Sequence, residues 1–364
     1  MKLIMNLTEF ARTSQLVMRN TDILRSERLL ILAPPADDLA TGLLSKNIAT
    51  NILGFTQDFS IYSRMAPYWQ TGGIRQVLVY GATLSGGQEL KFDGVLMFLQ
   101  KSKQLMDFWL DMIAPVITPE GKVWLVGENK EGIKSWSKRL KHRFMEVISI
   151  DSARHCVLIE ASGLNNKSPA FKIEDYYQGF KVQAEEKILK ILSLPGVFCH
   201  GRLDRGTEVF LQSLTDIKGE KIMDFGCGSG VIGAFAVAML PNAKLTLVDC
   251  DALALDSAKQ TLRLNNIEEC QVLASDGLGS INQSFDLILS NPPFHKGVKT
   301  HYDVTEQFFV DAYRYLHACG EIRIVANSFL VYEPIIKKVF GCCDIVVVKD
   351  GFTVYKARKS SLKK

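Results

Sequence analysis

The sequence predicts an α/β protein with two doubly wound domains in tandem, and three observations carry that prediction. Its 364 residues suffice for two domains of ordinary size. Apolar, β-rich runs alternate with helical windows of roughly 10–15 residues in both halves, the rhythm of a parallel sheet covered on both faces. The halves share that rhythm but differ in the loop after their first strand, which is glycine-rich downstream and proline-rich upstream.

In the second half, residues 221–225 (KIMDF) read as a buried strand, followed by the loop GCGSG and an apolar helix, VIGAFAVAML. Next come the strand LTLVD, a helix over ALALDSAKQTLRLNN, the strands QVLAS and FDLILS, a helix over VTEQFFVDAYRYLH and the strand EIRIVAN. Two β-rich runs split by a glycine, DIVVVKD and GFTVYKAR, predict a terminal hairpin. The first half repeats the pattern with weaker punctuation: RLLILA, VLVYGAT, GVLMFL, a helix over QLMDFWLDMIAPV, KVWLVGEN and a helix over GIKSWSKRLKHRF. Its first strand runs into Ala33-Pro34-Pro35-Ala36, where two prolines remove two amide donors from the place a nucleotide would need them. The upstream unit is therefore expected to hold no nucleotide. The polar, turn-rich stretch 162–183 separates the halves, and the boundary is set near Tyr176, giving domains 1–175 and 176–364.

Composition excludes several classes. Hydrophobic residues make up 47 % and charged ones 23 %, so the chain can bury enough surface to offset its ordering entropy and is not a disordered one. A net charge of +4 is far from that of a protein that coats nucleic acid indiscriminately, so any nucleic-acid contact is made by local patches. The eight cysteines form no C-x-x-C pair and no zinc or haem spacing, so no metal is expected and the thiols are read as reduced. The first residues lack a signal-peptide pattern, and no window approaches about 18 uninterrupted apolar residues. A cytoplasmic, monomeric protein without membrane contact is expected.

The strongest local motif is Asp224-Phe225-Gly226-Cys227-Gly228-Ser229-Gly230. Glycines at 226, 228 and 230 directly after a strand allow a tight turn and let a ligand approach bare amides at a helix start. A dinucleotide fingerprint would want glycine at 231, which is valine. The D-x-G-x-G-x-G pattern points instead to S-adenosylmethionine, with Asp224 suited to its ammonium. The next strand ends at Asp249, placed to accept from two ribose hydroxyls, with Asp251 as a competitor. Asp276, after the third strand, suits either an adenine amino group or a helix cap.

Ser290-Asn291-Pro292-Pro293-Phe294 directly follows FDLIL. The amino group of a nucleobase or amide is a poor nucleophile because its lone pair is delocalised. An Asn oxygen and the following proline carbonyl can accept from that NH₂ and aim its lone pair at a methyl donor. Phe294 offers a face for a planar target, and His295 lies within the same loop. Upstream, Pro195-Gly196-Val197-Phe198 and Leu203-Asp204-Arg205-Gly206-Thr207 are read either as a lid carrying Phe198 onto the ligand or as a plain turn that starts a helix. Lys134, Lys138 and Arg139, beside Trp136, form the best candidate RNA patch, and a solvated helix face is the alternative. The basic tail from Lys356 to Lys364 is a second candidate.

Together, D-F-G-C-G-S-G and S-N-P-P-F-H-K-G resemble the class I S-adenosylmethionine-dependent N-methyltransferases. The whole chain resembles the bacterial small-subunit (16S) ribosomal RNA guanine-N2 methyltransferases, through VGENKEGIKS, DSARHC, LPGVFCHGRLDRGT and CGEIRIVAN as well. The resemblance implies two tandem Rossmann-like methyltransferase domains, the first degenerate and supporting folding and RNA recognition, the second catalytic. It implies that Gly226, Gly228 and Gly230 cradle the methionine portion, that Asp249 holds the ribose, and that Asn291, Pro292, Pro293 and Phe294 hold the guanine amino group. The implied partner is 16S ribosomal RNA within the 30S subunit. Cys199-His200 stand where Ser-Arg is expected and Lys296 where an acid is common. Alternatives sharing a planar NH₂ target are large-subunit guanine N2, adenine N6 and a protein glutamine; a non-catalytic assembly factor is a further one.

Overall fold

In the computed structural model the chain divides into two compact units, Met1–Tyr176 and Tyr177–Lys364. The structure describes residues 10–70, 73–84, 90–165, 170–292 and 300–361. Unit 1 contains strands β1 (Ser26–Leu32), β2 (Ala49–Thr56), β3 (Gln76–Tyr80), β4 (Phe92–Phe98), β5 (Ile117–Glu128), β6 (Phe144–Ala153) and β7 (Cys156–Leu164). Its helices are α1 (Arg12–Arg19), α2 (Leu39–Ser45), α3 (Phe59–Gln70), α4 (Lys103–Ile113) and α5 (Trp136–Leu140). The strands form one sheet in the order β3-β2-β1-β4-β5-β7-β6, with β5 to β7 and β7 to β6 antiparallel and the rest parallel.

Unit 2 opens with the hairpin β8 (Gln178–Ala184) and β9 (Lys187–Ser193), followed by α6 (Arg205–Gln212). Its main sheet comprises β10 (Lys221–Phe225), β11 (Lys244–Asp249), β12 (Cys270–Ala274), β13 (Phe285–Ser290), β14 (Leu316–Asn327), β15 (Asp344–Lys349) and β16 (Phe352–Arg358). The helices are α7 (Val231–Met239), α8 (Ala252–Leu264), α9 (Thr300–Tyr315) and α10 (Glu333–Phe340). The strand order is β12-β11-β10-β13-β14-β16-β15, the same permutation as in unit 1. Apolar residues along β10 and β13 alternate between two cores: Ile222, Leu287 and Leu289 on one face, Met223, Phe285 and Ile288 on the other.

The structure departs from the sequence reading in places. Strand β2 carries Asn51 and Gly54, which blur its pattern; a side chain at Gly54 would collide with the Trp69 ring, so close packing explains the glycine. The helix expected over 132–144 is one short 3-10 turn (Ile133–Ser135) and the brief α5. The edge strand β6 has exposed residues on both faces, including Met145 and Ile148, and so lacks a two-residue signal. Strand β8 lies in the stretch read as polar, turn-rich chain, and β9 follows directly after it. They pair across a tight turn whose Glu185 is left-handed, and they bury Val182, Ala184, Leu189 and Ile191 against unit 2.

Candidate active site

Parallel strands leave their C-terminal ends without a covering helix, and there the loops of unit 2 converge. After β10 the chain reverses through Gly226, Gly228 and Gly230, all left-handed, with φ of 66°, 53° and 76°. The Gly226 and Cys227 amides donate to the Val248 carbonyl, which pins the loop to the neighbouring strand. Gly230 starts α7, and a side chain there would press on Ala258 and Leu247; at Gly228 a Cβ would meet nothing within 4 Å. Gly230 is thus required by packing and Gly228 by conformation, which leaves open space above the loop.

Asp249, at the end of β11, accepts from the Gly228 amide at 2.9 Å and from the Asp251 amide at 3.0 Å. Asp251 N-caps α8 by accepting from the Leu253 amide. Burial pushes the Asp249 carboxyl above its ordinary range, opposed by these N–H donors. Asp224 departs from the expectation of a direct ligand contact, because it lies on β10 with its side chain fully buried behind the loop. Its Oδ2 accepts from the Gly233 amide at 2.8 Å, and its Oδ1 has no hydrogen-bond partner. Burial, reinforced by the nearby Asp249 charge, pushes its pKa up to about 7.

A cleft of about 360 Å³ opens over this loop. It is lined by Gly226, Cys227, Gly228, Asp249, Asp251 and Asn291 from the sheet end, and by Phe180, Phe198, Cys199, Asp204 and Thr207 from the segment before β10. The lid reading and the helix-start reading each describe part of that segment. Phe198 lines the cleft while 57 % exposed, and Asp204 N-caps α6 by accepting from the Thr207 amide at 2.9 Å. Asn291 donates from Nδ2 to Thr207 Oγ1 at 2.9 Å and to Asp204 Oδ2 at 3.2 Å. Pro292 is buried next to it; Pro293, Phe294, His295 and Lys296 lie outside the described residues. Cys227 is buried and its thiol pushed well up by burial, so it is a packing residue and no thiolate nucleophile.

Two expected site groups sit elsewhere. Asp276 is exposed beyond β12, does not line the cleft and caps no helix; its backbone carbonyl accepts from the Gly279 amide in a turn. In unit 1, Trp136 is buried at 2 % exposure and is not available to stack on a base. Its ring is covered by Arg139, which pairs with Asp107 at 2.5 Å, and Arg143 pairs with Asp111. Lys134 and Lys138 stay exposed, so the patch keeps lysines and loses its aromatic and arginine members to unit 1's own packing. Sequence reasoning did not join Asp204 and Thr207 to Asn291. The D-x-x-T cap was legible, but a contact spanning more than eighty positions leaves no local signal.

A glycine loop, a strand-end acid and an asparagine directly after a strand, around one cleft of a seven-stranded mixed sheet, define a small-domain methyltransferase. Residues 188–356 match the methyltransferase small domain family, and residues 14–180 match the methyltransferase small domain N-terminal family. The chain is 35 % identical to the ribosomal RNA small subunit methyltransferase C of Hahella chejuensis, over 96 % of this chain and 99 % of that protein. It is 40 % identical to the protein of the same name from Pseudomonas fluorescens, over 74 % and 80 %. A solved structure titled as the T. thermophilus 16S rRNA N2 G1207 methyltransferase (RsmC) with AdoMet and guanosine shares the fold, with a TM-score of 0.80 at 21 % identity over 96 % of this chain and 92 % of that one. The chain belongs to the ribosomal RNA small subunit methyltransferase C family.

Proposed function

We propose that this protein transfers a methyl group from S-adenosylmethionine to the exocyclic N2 of a guanine in 16S ribosomal RNA, acting as a single chain on the 30S subunit. Unit 2 carries the chemistry and unit 1 contributes to RNA recognition. The observation that carries this reading is the convergence of the glycine loop, Asp249 and Asn291 on one cleft. The open space above Gly228 suits the cofactor, and so does an acid whose two oxygens are held rigid by the Gly228 and Asp251 amides. Gly226 and Gly228, which line the cleft, would then face its methionine portion and Asp249 its ribose, while Gly230 packs against Ala258 and Leu247 outside the cleft lining. Bound there, the cofactor supplies an electrophilic sulfonium methyl.

The protein's own residues position the target. Asn291 accepts from the guanine NH₂ and fixes its plane, so that the nitrogen lone pair faces the methyl group. A neutral amide takes no proton near pH 7, so the excess proton leaves to water after transfer. Phe198 offers an aromatic wall to a base that enters unpaired, as N2 chemistry requires.

Purified protein, tritiated cofactor and a choice of 30S subunits, naked rRNA, DNA and protein substrates test this reading, with digestion of the labelled product to nucleosides. Label in N2-methylguanosine from 16S rRNA is expected. Asn291→Ala should lower turnover more than about a thousandfold while cofactor affinity stays within several-fold. Label confined to DNA or protein, or parallel loss of turnover and cofactor affinity in the variant, would contradict it.

A further inference from the structure

An asparagine used as an acceptor has a weakness that an ionised carboxylate lacks: its amide can flip. Turned by a half rotation, it offers the target amino group a donor instead of an acceptor, and the two orientations fill the same volume. The surroundings of Asn291 remove that freedom. Its Nδ2 approaches Thr207 Oγ1 at 2.9 Å and Asp204 Oδ2 at 3.2 Å. The Thr207 hydroxyl donates to the same Asp204 oxygen at 3.3 Å, so the lone pairs it turns to Asn291 can only accept. A flipped amide would set its oxygen against a carboxylate oxygen and a hydroxyl whose proton is already committed. Among the described residues, nothing donates to Asn291 Oδ1.

We propose that Asp204 and Thr207 are positioning residues that lock the Asn291 amide with its oxygen available to the target amino group and strengthen that oxygen as an acceptor. The inference rests on the functional reading of Asn291 given above. The strengthening follows from the direction of the chain: the amide N–H donates to a hydroxyl that donates to an anion, and each donation pushes electron density back toward the amide oxygen. The Asp204 carboxylate is itself held in place. Its Oδ2 also caps α6 through the Thr207 amide, and its Oδ1 accepts from the Cys199 thiol at 3.7 Å, a weak contact that ties the clamp to the cleft wall.

Unit 1 shows the same clamp dismantled. There α1 packs on β5 and β7 as α6 packs on β14 and β16. Its N-cap is Ala11 where α6 has Asp204, and three residues further on stands Ser14 where α6 has Thr207. By the register of β1 with β4 and of β10 with β13, Phe98 holds in unit 1 the position that Asn291 holds in unit 2. The Ser14 hydroxyl is buried with no hydrogen-bond partner. Where the asparagine is absent, the cap residue carries no carboxylate to anchor it, and the remaining hydroxyl has no hydrogen-bond partner.

Thr207→Val keeps the shape and the Asp204 cap but removes the acceptor, Thr207→Ser restores it, and Asp204→Asn removes the anion. Single-turnover transfer to 16S rRNA and cofactor binding by calorimetry are measured for each beside the wild type. The expected results are a roughly ten- to hundredfold lower transfer rate for Thr207→Val and Asp204→Asn, recovery to within about threefold in Thr207→Ser, and cofactor affinity within about twofold throughout. A wild-type rate in folded Thr207→Val overturns the clamp while leaving the functional reading intact, as does a rate loss matched by lost cofactor affinity. A wild-type protein that forms no N2-methylguanosine sinks both.

Discussion

Units 1 and 2 are two versions of one fold with the same permutation of strands, and the register of their sheets allows comparison residue by residue. Leu32 pairs with Phe55 in unit 1 and Phe225 with Val248 in unit 2; the next residues, Ala33 and Gly226, both donate to those partners' carbonyls at 2.8 Å in left-handed conformations. The backbone turn is preserved and the chemistry beyond it is not. Ile31 stands for Asp224, Thr56 for Asp249 and Phe98 for Asn291. Where unit 2 keeps an open loop, unit 1 fills it with Pro34, Pro35 and Asp37, whose carboxylate accepts from the Ala11 and Leu39 amides. Packing alone is enough to keep the sheet and its turns alike in the two units, whereas a ligand site needs a handful of residues that packing does not demand.

The largest effect is expected from writing unit 1's loop into unit 2. Gly228→Pro forces φ to about −65° where the loop needs 53°, and removes the amide that donates to Asp249. Cofactor affinity by calorimetry should fall more than about a hundredfold; a change within tenfold would mean that the loop amides do not shape the site. Pro35→Gly in unit 1 should create no binding, since Asp249 and Asn291 have no counterparts there.

A second contrast is electrostatic. Burial pushes the Asp224 carboxyl from the ordinary 3.8 up to about 7, whereas its counterpart Ile31 cannot titrate. Between those values the folded protein holds the proton and the unfolded chain has lost it, so stability falls as pH rises through that window and levels off above it. The ligand-free wild type should lose on the order of a few kcal/mol from this group between about pH 4 and 8, read from denaturant midpoints. Asp224→Asn should flatten the slope, with a residue left by Asp249, whose pKa is raised as well. An unchanged slope in the variant would show that Asp224 is not the group responsible.

The smallest effect lies in unit 1. Ala33 holds φ at 51°, a conformation with a steric cost for a residue with a side chain, where unit 2 uses glycine. Ala33→Gly should be neutral or stabilising by up to about 1 kcal/mol; clear destabilisation would show that its methyl packing outweighs the backbone strain.

Much of this was legible in the sequence. The glycine spacing, Asp249 at a strand end and Asn291 directly after FDLIL are local patterns, and the missing loop upstream was visible as two prolines. What stayed hidden was long-range or lacked period. Asp204 and Thr207 read as a helix start because their partner is distant in sequence. Asp224 read as a ligand contact because its burial behind the loop depends on the depth of β10 in the sheet. Trp136 read as a stacking surface because nothing in its basic surroundings announces that Arg139 covers its ring and pairs with Asp107.

The division between the units is tested most directly by titrating S-adenosylmethionine into the full chain by calorimetry, with Asp249→Ala alongside. One site per chain, abolished or weakened more than about tenfold in the variant, is the expected result. Two sites per chain, or a single site indifferent to Asp249→Ala, would contradict the assignment of the cofactor to unit 2 alone.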